Sequence, residues 1–190
     1  MNFKEYLPLA ARTVKPLNSD IENVGHAVLG FFTEIQELEE ALVSGDGVNV
    51  NEEIGDMFWY IALLANTAQV NFDHFTGPRV EEARTAISDL VTVHSYGLSH
   101  AMVCLVSSCL DPIKKRYIYN SDKVDKDKVD IKIFDILSIL LAVCEFLGSD
   151  AGDIMKRNIE KLKKRYPEKY TDVDAVNRNL EEERKTLEGN

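Results

Sequence analysis

The sequence predicts an all-α fold, a helical bundle, on three observations. Apolar residues recur at three- and four-residue spacings, and no stretch sustains the period-two alternation of a half-buried strand. Breakers punctuate these runs at helical lengths: Gly45-Asp46-Gly47, Gly77-Pro78, Gly148 and Pro167. The 190 residues are 45% apolar and 28% charged without low-complexity segments, enough for one packed core in a single domain over 1–190.

Taken in order, residues 2–13 read as a short amphipathic helix that ends near Pro16. Ser19 or Asp20 caps a second helix running to about Ser44, where the glycines of Gly45-Asp46-Gly47 stop it. Asn49 or Asn51 caps a third, to about Val70. Beyond Gly77-Pro78, a fourth helix over about 79–110 bends near Gly97. Residues 111–127, opened by Pro112, read as a helical turn and a loop. A fifth helix covers about 127–147 and ends at Gly148. Ser149 or Asp150 caps a sixth, to about Tyr166, which Pro167 breaks. Thr171 and Asp174 resemble a capping box opening a last helix to Leu187.

The unusual feature is acid on apolar stripes. At about 100° per residue, Glu34 and Glu37 share a face with Ala27, Gly30, Phe31, Leu38 and Ala41. Glu53 and Asp56 share one with Met57, Tyr60 and Leu64. Buried charge requires a partner or a metal. Four carboxylates without competing His or Cys ligands suit a hard cation, Mg²⁺ or Mn²⁺. The plainer alternative is that acid-rich helices are common; Glu39, Glu40 and Glu52 read as solvated. On the sixth helix, Met155, Ile159, Leu162 and Tyr166 form an apolar stripe, while Asn158, Lys161 and Arg165 line up beside it. Those donors suit phosphate oxygens, although a basic face near a helix C-terminus is also favoured by the macrodipole.

An internal repeat aligns Ile54 to Ala65 with Ile133 to Cys144, pairing Asp56 with Asp135 and Glu53 with Lys132. Upstream, His26 aligns with His94, which sets Glu34 and Glu37 against Met102 and Leu105. The acid-bearing helix pair then spans about 19–72, and a degenerate copy about 79–148. Residues of about 149–187 supply the helix with the Asn158, Lys161 and Arg165 stripe, suited to gripping phosphate, and the C-terminal helices. Chance likeness of two amphipathic pairs is the alternative.

A net charge of −10 argues against a nucleic-acid polymer or an anionic membrane as partner. Cys104, Cys109 and Cys144 form no CxxC pair and read as reduced core residues of a cytoplasmic protein. The first residues lack a sustained apolar run, so no signal peptide is expected, and the stretch 131–147 is too short and polar to span a bilayer. His26, His74, His94 and His100 show no ligand spacing and read as structural, which removes the ExxH motif of a di-metal redox bundle.

Together, three motifs resemble the MazG-like and dimeric dUTPase superfamily of all-α nucleoside triphosphate pyrophosphohydrolases. LGFFTEIQEL is similar to that family's LGLxxExGEL, with Gln36 where a small residue is common. EEIGDMFWYIALLA is similar to EELGDxLWYLAxLA. NIEKLKKRYPEKYTDVDAVNR resembles an NxxKLxxRYP segment followed by an aromatic residue, Ala and Arg, onto Asn158, Lys161, Arg165, Tyr166 and Arg178. The resemblance implies Mg²⁺-dependent cleavage of a (d)NTP to the monophosphate and pyrophosphate, in a nucleotide house-cleaning role. Glu34, Glu37, Glu53 and Asp56 would hold the metal, and Asn158, Lys161 and Arg165 the substrate. Trp59 or Tyr60 would stack on the base, or simply pack the core; base preference stays open. Members carry a lysine after the first acidic helix, and none follows Glu37 here before the third helix. Lys114 or Lys115 is the substitute available across a pseudo-twofold axis. Longer members with one active and one degenerate pair are dimeric, so a homodimer is expected. A non-catalytic helical nucleotide-binding or interaction protein is the rival reading.

Overall fold

The computed structural model describes residues 1–74, 78–94, 97–120 and 123–189. Among these, all regular structure is helical: α1 (Phe3–Ala11), α2 (Asp20–Ser44), α3 (Gly47–Thr67), α4 (Pro78–Ser88), α5 (Leu98–Tyr117), α6 (Lys126–Leu147), α7 (Ala151–Arg165), α8 (Asp172–Val176) and α9 (Leu180–Glu188). The all-α expectation is therefore met. Neighbouring pairs α2–α3, α3–α6, α6–α5 and α5–α2 close a four-helix core. Leu38, Ile54, Met57, Phe58, Met102, Ile133, Leu137 and Leu140 fill it. Outside this ring, α4 lies on α6, α1 and α7 lie on α3, and α9 lies on α7.

Capping chemistry accounts for most boundaries. Ser19 accepts the Glu22 N–H, and Gly45 and Gly148 end α2 and α6 in the left-handed region, at φ 72° and 69°. Asp150 caps α7, and Pro167 follows that helix one residue after Tyr166.

Five boundaries differ from expectation. The third helix begins two or more residues before Asn49 or Asn51, because Asp46 accepts the N–H groups of Val48 and Asn49, both at 3.1 Å. It ends at Thr67 rather than Val70, with Gln69 at φ 52°. The single fourth helix is two. A π-turn over Asp89–Val93 interrupts it, and α5 restarts with Gly97 as N-cap, so that α4 lies on α6 while α5 lies against both α2 and α6. Pro112 does not open a loop but sits inside α5, which continues past buried Ile113 to a last turn of Lys114, Lys115 and Arg116 that suits the macrodipole. The last helix is also two, since Asn179 accepts the Glu182 N–H and starts α9 afresh. The glycine of the Gly77-Pro78 break lies outside the described residues; α4 starts at Pro78.

In the second helix pair, Asp135 is paired with Lys132 at 2.8 Å and with Arg79 at 2.6 Å. Met102 is buried, where the aligned position of the first pair carries Glu34. Glu39 is not simply solvated: it accepts a 2.6 Å hydrogen bond from Ser99 on α5.

Candidate active site

Helices α2 and α3 turn their acids toward each other. One carboxylate oxygen each of Glu34, Glu37 and Glu53 falls within a mutual span of 4.8 Å. Glu34 and Glu53 are buried, and Glu37 is exposed. Burial pushes the Glu34 carboxyl up to about 9; a hydrogen bond to Glu53 and the charges of Asp56 and Glu37 add to this. Burial raises Glu53 as well, although accepting from Glu34 offsets part of that rise. Such mutual repulsion is what a divalent cation would relieve, and an all-oxygen set is the donor chemistry of a hard one.

Asp56 faces the same cleft but has its own company. Its Oδ1 accepts from Lys161 Nζ at 2.7 Å and from Asn158 Nδ2 at 2.7 Å, and Oδ2 accepts from Lys161 at 2.6 Å. Lys161 also donates to Glu52 at 3.2 Å, so Glu52 is no plain solvated residue. Behind these, the Tyr6 hydroxyl donates to Asn158 Oδ1 at 2.6 Å. The chain Tyr6–Asn158–Asp56–Lys161–Glu52 thus ties α1 and α7 to the acidic helix.

This network revises the reading of the sixth-helix stripe. Of its three donors, only Arg165 lines the cleft. Asn158 and Lys161 are buried, Lys161 at 0% exposure, because α7 is covered by α1, α3 and α9 together. They face Asp56 instead of presenting donors outward. Burial opposes the Lys161 charge, but Asp56 and Glu52 more than restore it, and its pKa lies above the ordinary lysine value.

The cleft encloses about 580 Å³. Its acidic wall is Glu34, Glu37, Glu52, Glu53 and Asp56, and its cationic side is Lys15, Arg165 and Arg178. Its aromatic wall includes Trp59 and Tyr60, with His26 edge-on to both at 5.6 Å. Burial lowers the His26 pKa. Trp59 Nε1 donates to Thr13 at 2.8 Å, which holds the indole across the cleft. Two glycines clear space beside the acids, Gly30 for the aromatic wall and Gly55 for α7. A Cβ on Gly30 would run into the Tyr60 ring, and one on Gly55 would lie 3.1 Å from the Asn158 side chain.

Lys114 and Lys115 do not reach the cleft; both pair with Asp111 at the far end of α5. The cation there that sequence reasoning missed is Lys15, which pairs with Asp172 and lies 5.8 Å from the Tyr170 ring centroid. Tyr6, Thr13 and Glu183 were missed too. No local spacing marks them, since their partners are more than forty residues away or lie beyond a helix break. For Glu183, the Asn179-x-x-Glu182 signal of a new helix was available.

Residues 26–82 match the family model described as the MazG nucleotide pyrophosphohydrolase domain. The matched segment contains all four acids and most of both acidic helices. No curated protein and no solved structure matches the chain. The segment that bears the acids is thus MazG-like, as the motifs indicated.

Proposed function

We propose that this chain, MazG-like over its acidic helix pair, is a divalent-metal-dependent nucleoside triphosphate pyrophosphohydrolase. It would cleave a (d)NTP to the monophosphate and pyrophosphate, in keeping with nucleotide-pool house-cleaning. The observation that carries the reading is the convergence of Glu34, Glu37 and Glu53 in a cleft that also holds guanidinium and aromatic side chains.

Glu34, Glu37 and Glu53 would hold Mg²⁺, with Mn²⁺ as a substitute, and Asp56 would complete the set while remaining tied to Lys161. When bound, the ion supplies neutralisation of the triphosphate and activation of a water. Hydrolysis would open the bridge between the α- and β-phosphates, with water supplying the new oxygen and pyrophosphate as the leaving group. Glu37, the exposed acid of the cluster, is the candidate to orient the water and take its proton. Positioning matters more than covalent help in such chemistry. Lys161 and Asn158 supply it by fixing the Asp56 carboxylate, and Arg165 with Arg178 would grip the phosphates. Trp59 and Tyr60 offer the base an apolar wall.

The second helix pair is read as a scaffold without metal, because Asp135 is consumed by Lys132 and Arg79. The assembly is read as a homodimer, since α2 leaves Leu29 and Val43 exposed and α6 leaves Phe146 exposed. Among the described residues no helix is long and apolar enough to cross a membrane.

The test is release of pyrophosphate from standard and damaged dNTPs with Mg²⁺, by wild type and by Glu53→Gln. Wild type is expected to be active and the variant inactive with its helicity retained. Equal turnover by the two would sink the assignment of the metal ligands.

A further inference from the structure

Arg165 and Arg178 come from different segments, yet one carboxylate holds both. Arg165 Nε donates to Glu183 Oε1 at 3.0 Å, and its Nη2 donates to Oε2 at 2.5 Å. Arg178 Nη2 donates to the same Oε2 at 2.9 Å. Glu183 is 3% exposed. Burial alone would raise its carboxyl, but the two guanidiniums carry it below the ordinary glutamate value.

The decisive point is which side each group occupies. Both arginines line the cleft and Glu183 does not. A carboxylate standing in for a phosphate would sit on the wetted, cleft-facing edge of the guanidiniums. Glu183 is buried outside that lining, and its bonds to Arg165 use Nε and Nη2, so that Nη1 is not taken up by Glu183. Its own helix is anchored independently. Arg184 forks onto Asp46, the cap of the Glu53-bearing helix, with both bonds at 3.1 Å. Arg157 donates to the Leu187 carbonyl at 2.6 Å, and Leu187 is buried. The position of Glu183 is therefore referred to the same helix that carries Glu53 and Asp56.

We propose that Glu183 is a positioning residue: α9 delivers its carboxylate behind Arg165 and Arg178, and so presents the two guanidiniums as one rigid clamp for a polyphosphate chain in the cleft. The assignment rests on the nucleotide reading above and extends it to a helix outside the MazG-matched segment. Arginine is suited to this role because its planar fork can bond a carboxylate along one edge and a phosphate along another.

The experiment compares full-length wild type with Glu183→Ala, Glu183→Gln and Arg178→Ala, and with the double variant of Glu183→Ala and Arg178→Ala. Glu181→Ala is the control, since Glu181 on the same helix is exposed and pairs with Lys185 at 2.8 Å. Steady-state kinetics on the cleaved Mg-nucleotide are read beside calorimetric affinity for inorganic tripolyphosphate with Mg²⁺. Glu183→Ala is expected to raise KM and weaken tripolyphosphate binding about tenfold or more, the scale of one charge-assisted hydrogen bond. Glu183→Gln should fall between it and wild type. The double variant should be worse than Arg178→Ala, because Arg165 is released as well, but by less than the sum of the two single effects, and Glu181→Ala should match wild type. A lower melting temperature for Glu183→Ala with unchanged KM and tripolyphosphate affinity would overturn the proposal, as would a fall in KM. If wild type cleaves no nucleotide but binds tripolyphosphate in a Glu183-dependent way, the clamp stands and the enzymatic reading fails. If wild type neither cleaves nor binds, both fail.

Discussion

Replacing Lys161 by methionine isolates the charge at the centre of the buried network. Methionine keeps the straight stem and most of the volume, so the cavity contribution is small. What goes is an ammonium at 0% exposure with two bonds to Asp56, at 2.6 and 2.7 Å, and one to Glu52 at 3.2 Å. Stranding one member of a buried pair costs about 3–5 kcal/mol. Asp56 retains the Asn158 amide and a side chain 28% exposed, so the lower end, about 3 kcal/mol, applies. In a chain of this length that is a fall of about 6–12 °C in melting temperature. Thermal unfolding by circular dichroism in EDTA measures it. The variant leaves five cleft acids without their buried counter-charge, so Mg²⁺ should raise its melting temperature more than that of wild type. Adding Asp56→Asn should recover much of the loss in EDTA. A fall of under about 2 °C in EDTA would refute the network as a structural element. A loss that Asp56→Asn does not relieve would refute the charge argument and leave only packing.

Two other outcomes follow from the same acids and from the surface. In the folded state Glu34 and Glu53 hold their protons more tightly than in the unfolded chain, whose value is 4.5. Their stabilisation is present in full below that value and is lost as pH rises through the raised values. Between pH 7 and 9, where His26 with its lowered pKa stays neutral, metal-free wild type should therefore lose melting temperature relative to Glu34→Gln. Parallel curves for the two proteins would contradict the buried acid pair. Sedimentation should give a species near twice the 21.5 kDa chain mass, and a monomer at micromolar concentration would remove the homodimer reading.

The fold was legible where local chemistry sets it. Ser19, Gly45, Gly148, Asp150 and Pro167 each act within their own turn, and the helices they bound fall where the spacing puts them. Legibility failed where two signals of equal kind competed. Asp46 outranked Asn49 and Asn51 as the cap of α3 by accepting the Val48 and Asn49 N–H groups, and Arg184, far along the chain, binds it too. Pro112 suggested a stop, but the apolar stripe through Cys109 and Ile113 buries enough surface to carry α5 through it.

The site divides along the same physical line. An i,i+3 pair of acids on an apolar stripe is a local fact, so Glu34, Glu37 and Glu53 could be read directly, and they converge. The burial of Asn158 and Lys161 is a tertiary fact. On an isolated helix their stripe looks solvated, and it is the packing of α1, α3 and α9 around α7 that turns it inward. The two glycines show how local and tertiary facts join. Gly30 and Gly55 were visible as motif letters, but only the packed structure gives each a reason: one admits the Tyr60 ring and the other admits the Asn158 amide. Each glycine sits within four residues of an acid it serves. Gly30 lets the aromatic wall close beside Glu34, and Gly55 lets α7 approach until Asn158 reaches Asp56 at 2.7 Å. Acid spacing alone does not distinguish a solvated helix face from a built site. Acids accompanied by glycines that clear space for distant side chains do distinguish them, because a solvated face has no need of that clearance.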